Sequence, residues 1–372
     1  MDLKTFNMKL FFIITICSIL LPGCGERNYT FVEAENPLYR PNVVFEAFED
    51  LSSPKFGHLI NKYRPDTIFH GETGEFERIL LLRHWIKSVI PIEDRGNPYP
   101  GEGNVERMLD YALEGQGYHC GHFMRIQNAI LSGYGYVTRT MGCGPGDTGV
   151  EFPHHGTNEI WSNTYNKWFM SDAKYDIHFE KDGIPLSAIE IRDEYLKNRA
   201  ADIVLVKGPD RQPVEYDEEI GMSNSDYASY YTWISWDAHN DIFSLWPDYN
   251  LMLIMYEDDY FRNNTWYRGG RPHWAYGTQY LKTVEDIDHL YFTPNTITSE
   301  VDLDGDIARI RLISDTPNFK EYQMRERSGG NWVAVETEFE MKLRRRSHEP
   351  VFRAVNLAGV NGPEHKIRIK RQ

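Results

Sequence analysis

The period of the hydrophobic pattern changes along this 372-residue chain, and that change limits the fold more than any other feature. From Gly74 onward, Phe76, Ile79, Leu80, Arg83 and Trp85-Ile86 recur at helical spacing. The stretch Glu93 to Asn104, with three Gly and two Pro, breaks that pattern into a loop. Val105 to Leu113 predicts a second, short helix. Cys120 to Leu131 predicts a third, with Phe123, Ile126 and Ile130 on one stripe and Gly133 as its stop. Beyond it the spacing shortens: Tyr136 to Thr140, Glu159-Ile-Trp161 and Trp168 to Asp172 predict short strands. Helices first and antiparallel strands after them predict an α+β domain.

The chain is too long for one ordinary domain. Val204 to Ile287 holds Tyr230, Tyr231, Trp233, Trp236, Trp246, Trp266 and Trp274 among frequent Asp and Asn, and predicts a mixed extension packed on the first domain. Such aromatics serve as core or as a ligand platform for sugar rings. From Tyr291 a period of two returns, with Ile310 and Leu312 between Arg309 and Arg311, and Met341 and Leu343 between Lys342 and Arg344. This predicts an all-β sandwich over 291–372, whose Ala354 to Gly362 segment resembles the last hairpin of a fibronectin type III or immunoglobulin-like module. Asp302-Leu-Asp304-Gly-Asp306 resembles part of a calcium loop but lacks Gly at the sixth position and Glu at the twelfth, so a hairpin turn is expected there. A formal charge of −15 repels phosphate backbones and sets nucleic acid aside as a partner.

Lys4 and Lys9 precede the apolar run Leu10 to Leu21, which has the length of a signal-peptide core and is too short to span a bilayer. It ends in Leu21-Pro22-Gly23-Cys24, similar to a bacterial lipobox, in which the Cys is lipidated; Pro22 departs from that pattern. The expected organisation is a lipoprotein signal over 1–23 with lipidation at Cys24, and a lead-in over 24–61. A catalytic core over 62–203, the extension over 204–290 and the sandwich complete it. The expected location is the cell envelope, with the chain tied to a membrane through its anchor. Export bears on the four cysteines, since an exported protein pairs its cysteines or avoids them. Apart from Cys17 and Cys24, only Cys120 and Cys143 remain, as one bridge or as a thiol kept for chemistry.

Cys120 follows a Gly-containing loop and opens a helix. There the dipole and outward N–H groups favour a thiolate and can receive an oxyanion. Downstream lie His154-His155-Gly-Thr-Asn-Glu159-Ile-Trp161 and Trp168-Phe-Met-Ser-Asp172-Ala173. A His leading one strand and an Asp ending the next can meet at one end of an antiparallel sheet, giving thiol, base and orienting carboxylate. These segments resemble the core of the transglutaminase-like superfamily of papain-type cysteine enzymes. The family's helix-start Cys is matched by Cys120, its His-x-x-x-Glu-Val-Trp/Tyr segment by His155 to Trp161, and its Trp-x-x-x-Asp-Ala/Pro segment by Trp168 to Ala173. The match is strong over Gly115 to Tyr175.

The resemblance implies Cys120 as nucleophile, His155 as general base and acid, and Asp172 as orienting carboxylate. It further assigns Gln116 to the oxyanion and Tyr118 and Trp161 to the substrate cleft; the insertion Gly142 to Pro153, longer than a tight strand connection, is expected to form a lip over that cleft. The implied activity is hydrolysis of an amide in a peptide, protein or glycopeptide, by a monomer needing no cofactor and no metal. Rival readings remain: a protein-crosslinking acyltransferase, or a glycan- or protein-binding lipoprotein with an idle triad. A third takes His119, Cys120, His122, Cys143 and His154 as zinc ligands, at spacings too close for usual zinc motifs.

Overall fold

The computed structural model describes residues 28–96, 98–145, 154–245, 251–263, 267–268, 271–272, 281–327 and 329–372. The signal segment with Cys24, most of the Gly142 to Pro153 lip, and Trp246, Trp266 and Trp274 lie outside the described residues.

The protein is α+β. Four helices, α1 (Pro54–Tyr63), α2 (Glu75–Val89), α3 (Val105–Leu113) and α4 (Cys120–Gly133), precede the strands β2 (Thr138–Gly144), β3 (His155–Ser162) and β4 (Lys167–Ser171). α3 is capped by Asn104, whose side chain accepts the Arg107 N–H. In α4 the stripe Phe123, Ile126, Ala129 and Ile130 is buried, and the chain leaves the helix through Gly135 at φ +84°. A side chain at Gly135 would meet Ala358 Cβ at 2.6 Å, so the turn requires glycine for space as well as for φ.

One six-stranded sheet organises the core. Its order is β7-β6-β5-β2-β3-β4, in which β5 (Trp233–Asp237), β6 (Leu253–Tyr256) and β7 (Leu281–Val284) come from the aromatic region. Neighbours are antiparallel except β6 and β7. Strand alternation sorts the side chains. Ile160 and Phe169 pack with the helices, while Met141, Cys143, Trp161, Trp168 and Met170 join a second cluster with α5 (Ala188–Asn198) and Tyr227, Tyr231 and Trp236.

The aromatic region is therefore not an extension laid on a finished domain; it supplies half of the central sheet. Tyr230, Tyr231 and Trp236 are buried in the core, while Trp233 is buried at the wall of a cleft. The boundary expected at residue 62 is also corrected, because α1 starts at Pro54 and buries Phe56 and Leu59 in the same cluster as α4.

Toward the C-terminus lie three sheets around one core. These are β8 (Thr298–Asp304), β9 (Ile307–Ile313) and β12 (Glu338–Lys342); then β11 (Val333–Val335), β10 (Phe319–Arg325), β14 (Val351–Asn356) and β15 (His365–Lys366). The third is formed by β1 (Tyr29–Val32), β16 (Arg368–Arg371) and β13 (Ser347–His348). Along β9, Ala308, Ile310 and Leu312 are buried between exposed Arg309 and Arg311. Gly305, at φ +60°, turns β8 into β9, so the aspartate-rich run is a hairpin. β1 overturns the simple lead-in: it pairs with β16, and the Tyr29 hydroxyl donates to the carbonyls of Leu343 (3.2 Å) and Arg345 (2.9 Å).

Candidate active site

Helix α4 begins where β3 and β4 end their pairing, and three expected residues meet there. His155 Nε2 is 2.6 Å from Asp172 Oδ2, and both side chains are buried. The other ring nitrogen, Nδ1, is left to the Cys120 thiol, with which the imidazole interacts. Close approach of strand to helix allows this. Gly156 faces the first turn of α4, where an added Cβ would lie 3.3 Å from Met124 Sδ and 3.5 Å from Gly121 Cα.

Burial pushes the Cys120 thiol up, but hydrogen bonds from the His119 and His155 rings and the Gly156 backbone overcome it and bring it down to about 5. Burial likewise disfavours a charged His155; the Asp172 carboxylate and Cys120 reverse that and raise it to about 10. The pair is thus a thiolate and an imidazolium at neutral pH. Asp172, which burial would raise, is held below the usual carboxylate range by His155 and by the Tyr227 hydroxyl. Its Oδ1 accepts the N–H groups of Lys174 (2.8 Å) and Tyr175 (3.3 Å), and the Tyr175 ring stacks on His155 at 5.7 Å.

Cys120 opens onto a cleft of about 280 Å³ lined by His119, Met124, Arg125, His154, Trp233 and Asp237, among others. His154 is exposed at this cleft, and it is His155 that holds Asp172. Burial raises the carboxyl of Asp237 to about 6 even though Thr140 donates to it at 2.6 Å.

The remaining candidates fall as follows, and the roles expected for Gln116, Tyr118 and Trp161 are corrected. Cys120 and Cys143 are both free thiols, so no bridge silences the site. Cys143 is fully buried opposite His155 across the β2–β3 ladder, and desolvation pushes its thiol well up. Gln116 is not turned to the nucleophile; its Nε2 donates to the Gly117 carbonyl at 2.8 Å. Tyr118 is wholly buried, stacked on Tyr99 with its hydroxyl on the Pro100 carbonyl, and does not line the cleft. Trp161 is buried against Trp168 on the sheet face away from α4, because position 161 has the opposite parity to Ile160. Among the described residues no cluster of His, Cys, Asp or Glu is arranged to hold a metal ion. His122 packs against Tyr99 and Tyr118, and burial lowers it to about 3.

Sequence reasoning gave no place to Tyr227, whose hydroxyl reaches Asp172 from 55 residues away. Nothing local marks it among the tyrosines of its segment. Glu159, the acidic residue of the His segment, belongs to the scaffold. It accepts Arg139 through Nε (3.0 Å) and Nη2 (2.6 Å), Trp236 Nε1 (2.7 Å), the Ala188 N–H (2.7 Å) and the Tyr291 hydroxyl (3.0 Å). That cluster ties β2, β3, β5 and α5 together behind the site.

Searches against known proteins return no matching family model and no matching curated sequence.

Proposed function

We propose that this chain is an exported, lipid-anchored cysteine hydrolase of the transglutaminase-like superfamily that cleaves an amide bond in a peptide, protein or glycopeptide. The observation that carries the reading is the hydrogen-bonded series Cys120, His155, Asp172 opening on a cleft. The helix-start Cys and the two strand motifs support the family. The run Leu10 to Cys24 supports export and an anchor at Cys24.

The chemistry follows from the protonation states. The Cys120 thiolate attacks the amide carbonyl carbon, forming the C–S bond as the C=O π pair moves to oxygen. When the oxyanion collapses, the C–N bond breaks and the His155 imidazolium gives its proton to the departing nitrogen. The amine leaves and a thioester remains. Neutral His155 then takes a proton from water, and the resulting hydroxide adds to the thioester carbon. Collapse breaks the C–S bond, releases the acid and restores the thiolate beside imidazolium. Asp172 stays ionised throughout and fixes the ring with Nε2 toward itself and Nδ1 toward sulfur.

The test is the iodoacetamide alkylation rate of each cysteine against pH, read by peptide mass spectrometry. Cys120 is expected to label rapidly between pH 5 and 7 while Cys143 stays unlabelled. His155→Ala should slow Cys120 by about 10-fold or more at pH 6, where an ordinary thiol of pKa about 8.5 is almost wholly protonated. A Cys120 as inert as Cys143 would refute the hydrolase and leave a surface binding protein as the better reading.

A further inference from the structure

Resting on that reading, we propose that His119 is the side-chain oxyanion donor of this site, its Nε2–H acting together with the backbone N–H of Cys120. His119 is the N-cap of α4, and its Nδ1 accepts the Gly121 N–H at 3.1 Å. An imidazole nitrogen that accepts a hydrogen bond carries no proton, so the cap fixes the tautomer and leaves the proton on Nε2. The ring sits on the cleft wall beside Cys120, whose thiol it helps to bring down. It is held in place by the edge of Tyr99 at 4.9 Å and by His122 at 4.0 Å between ring centroids.

Negative charge moves during acylation, and the donor follows it. Before attack the charge is on sulfur; after attack it is on the carbonyl oxygen, two bonds away. A donor on the cleft wall beside Cys120 lies close to that oxygen, and its position is prepaid by the cap. Cys120 opens the helix, so its own N–H has no carbonyl one turn earlier and supplies the second donor. Gln116, the residue expected for this task, is committed to the Gly117 carbonyl, which leaves the side-chain position to His119.

Two reagents separate this role from thiolate stabilisation. Acylation of Cys120 by p-nitrophenyl acetate passes through a tetrahedral oxyanion, whereas alkylation by iodoacetamide is a displacement that forms none. Both rates are measured on the full chain at pH 9, with Cys120→Ala as the blank, for wild type and for His119→Asn and His119→Ser, which keep a capping oxygen. Each variant is expected to lose about 10² to 10³ in acylation rate, the range for one oxyanion donor, while alkylation keeps its wild-type rate. Cys143 staying unlabelled in the same samples reports that the fold is intact. Acylation and alkylation falling in parallel, or acylation unchanged, would overturn the assignment to His119 alone. A wild-type Cys120 that neither reagent touches would instead remove the hydrolase reading, and this role with it.

Discussion

Asp172 receives four hydrogen bonds, from the His155 ring, the Tyr227 hydroxyl and two backbone N–H groups, which fill both of its oxygens. A buried carboxylate stays ionised only when its lone pairs are satisfied. Tyr227 shares Oδ2 with His155, so it acts on the thiol through two intermediaries and is a positioning residue. Tyr227→Phe keeps the ring and removes one donor. The expected result is a stability loss of about 1–3 kcal/mol, the cost of one lost partner on a buried acceptor. Cys120 labelling at pH 6 should fall several-fold, because an Asp172 that has lost one anchor no longer holds the His155 ring in register with the sulfur, while labelling at pH 9 is retained. Equal slowing at both pH values would mean that Tyr227 only supports the fold.

At the scale of elements, the site depends on how closely β3 approaches α4. Gly156 against Gly121 sets that distance, and Val at 156 would drive branched methyls toward Met124 Sδ. Gly156→Val is therefore expected to pry the strand from the helix and separate His155 from Cys120. The Cys120 labelling profile should then move to that of an ordinary thiol near pH 8.5, at a stability cost of about 1–3 kcal/mol from overpacking. An unshifted profile in a folded variant would refute the argument. Elements built from local pattern are readable in the sequence: α2, α3 and α4 begin within a residue or two of their predicted starts, and the motif that groups Cys120, His155 and Asp172 names three residues that meet in series through His155. The pairing of β2 with β5 is not readable, because Met141 meets Trp236 across 94 intervening positions. Nothing in the intervening sequence specifies that register. Trp161 fails for a related reason, since an aromatic next to the His155 motif gives no sign of which sheet face it occupies.

For the whole molecule, the thiolate–imidazolium pair makes core stability depend on pH in a shape that can be worked out. His155 is raised, so its contribution is complete below the unfolded imidazole value of about 6.5 and is lost as pH rises through about 10. Cys120 is lowered, so its contribution is complete above the unfolded thiol value of about 8.5 and is lost as pH falls through about 5. Between about 6.5 and 8.5 folded and unfolded chains bind the same number of protons, one on His155 in the first and one on Cys120 in the second, and the two slopes cancel. The urea midpoint of the core, followed by fluorescence of the buried Trp161, Trp168 and Trp236, should show this when wild type is compared with Cys120→Ala. The gap between them is expected to widen with pH from about 5 and to be widest near pH 8.5, because Asp172 keeps His155 raised in both proteins and the proton that only the unfolded Cys120 holds then sets the slope. It should narrow toward pH 5 as the thiolate takes up its proton, and toward pH 10 as His155 loses the share of its charge that Cys120 supports. A gap constant from pH 5 to 10 would show that Cys120 rests as a neutral thiol. The charge that the proposed nucleophile requires would then be missing, and the stability of the core would have to be explained without the pair.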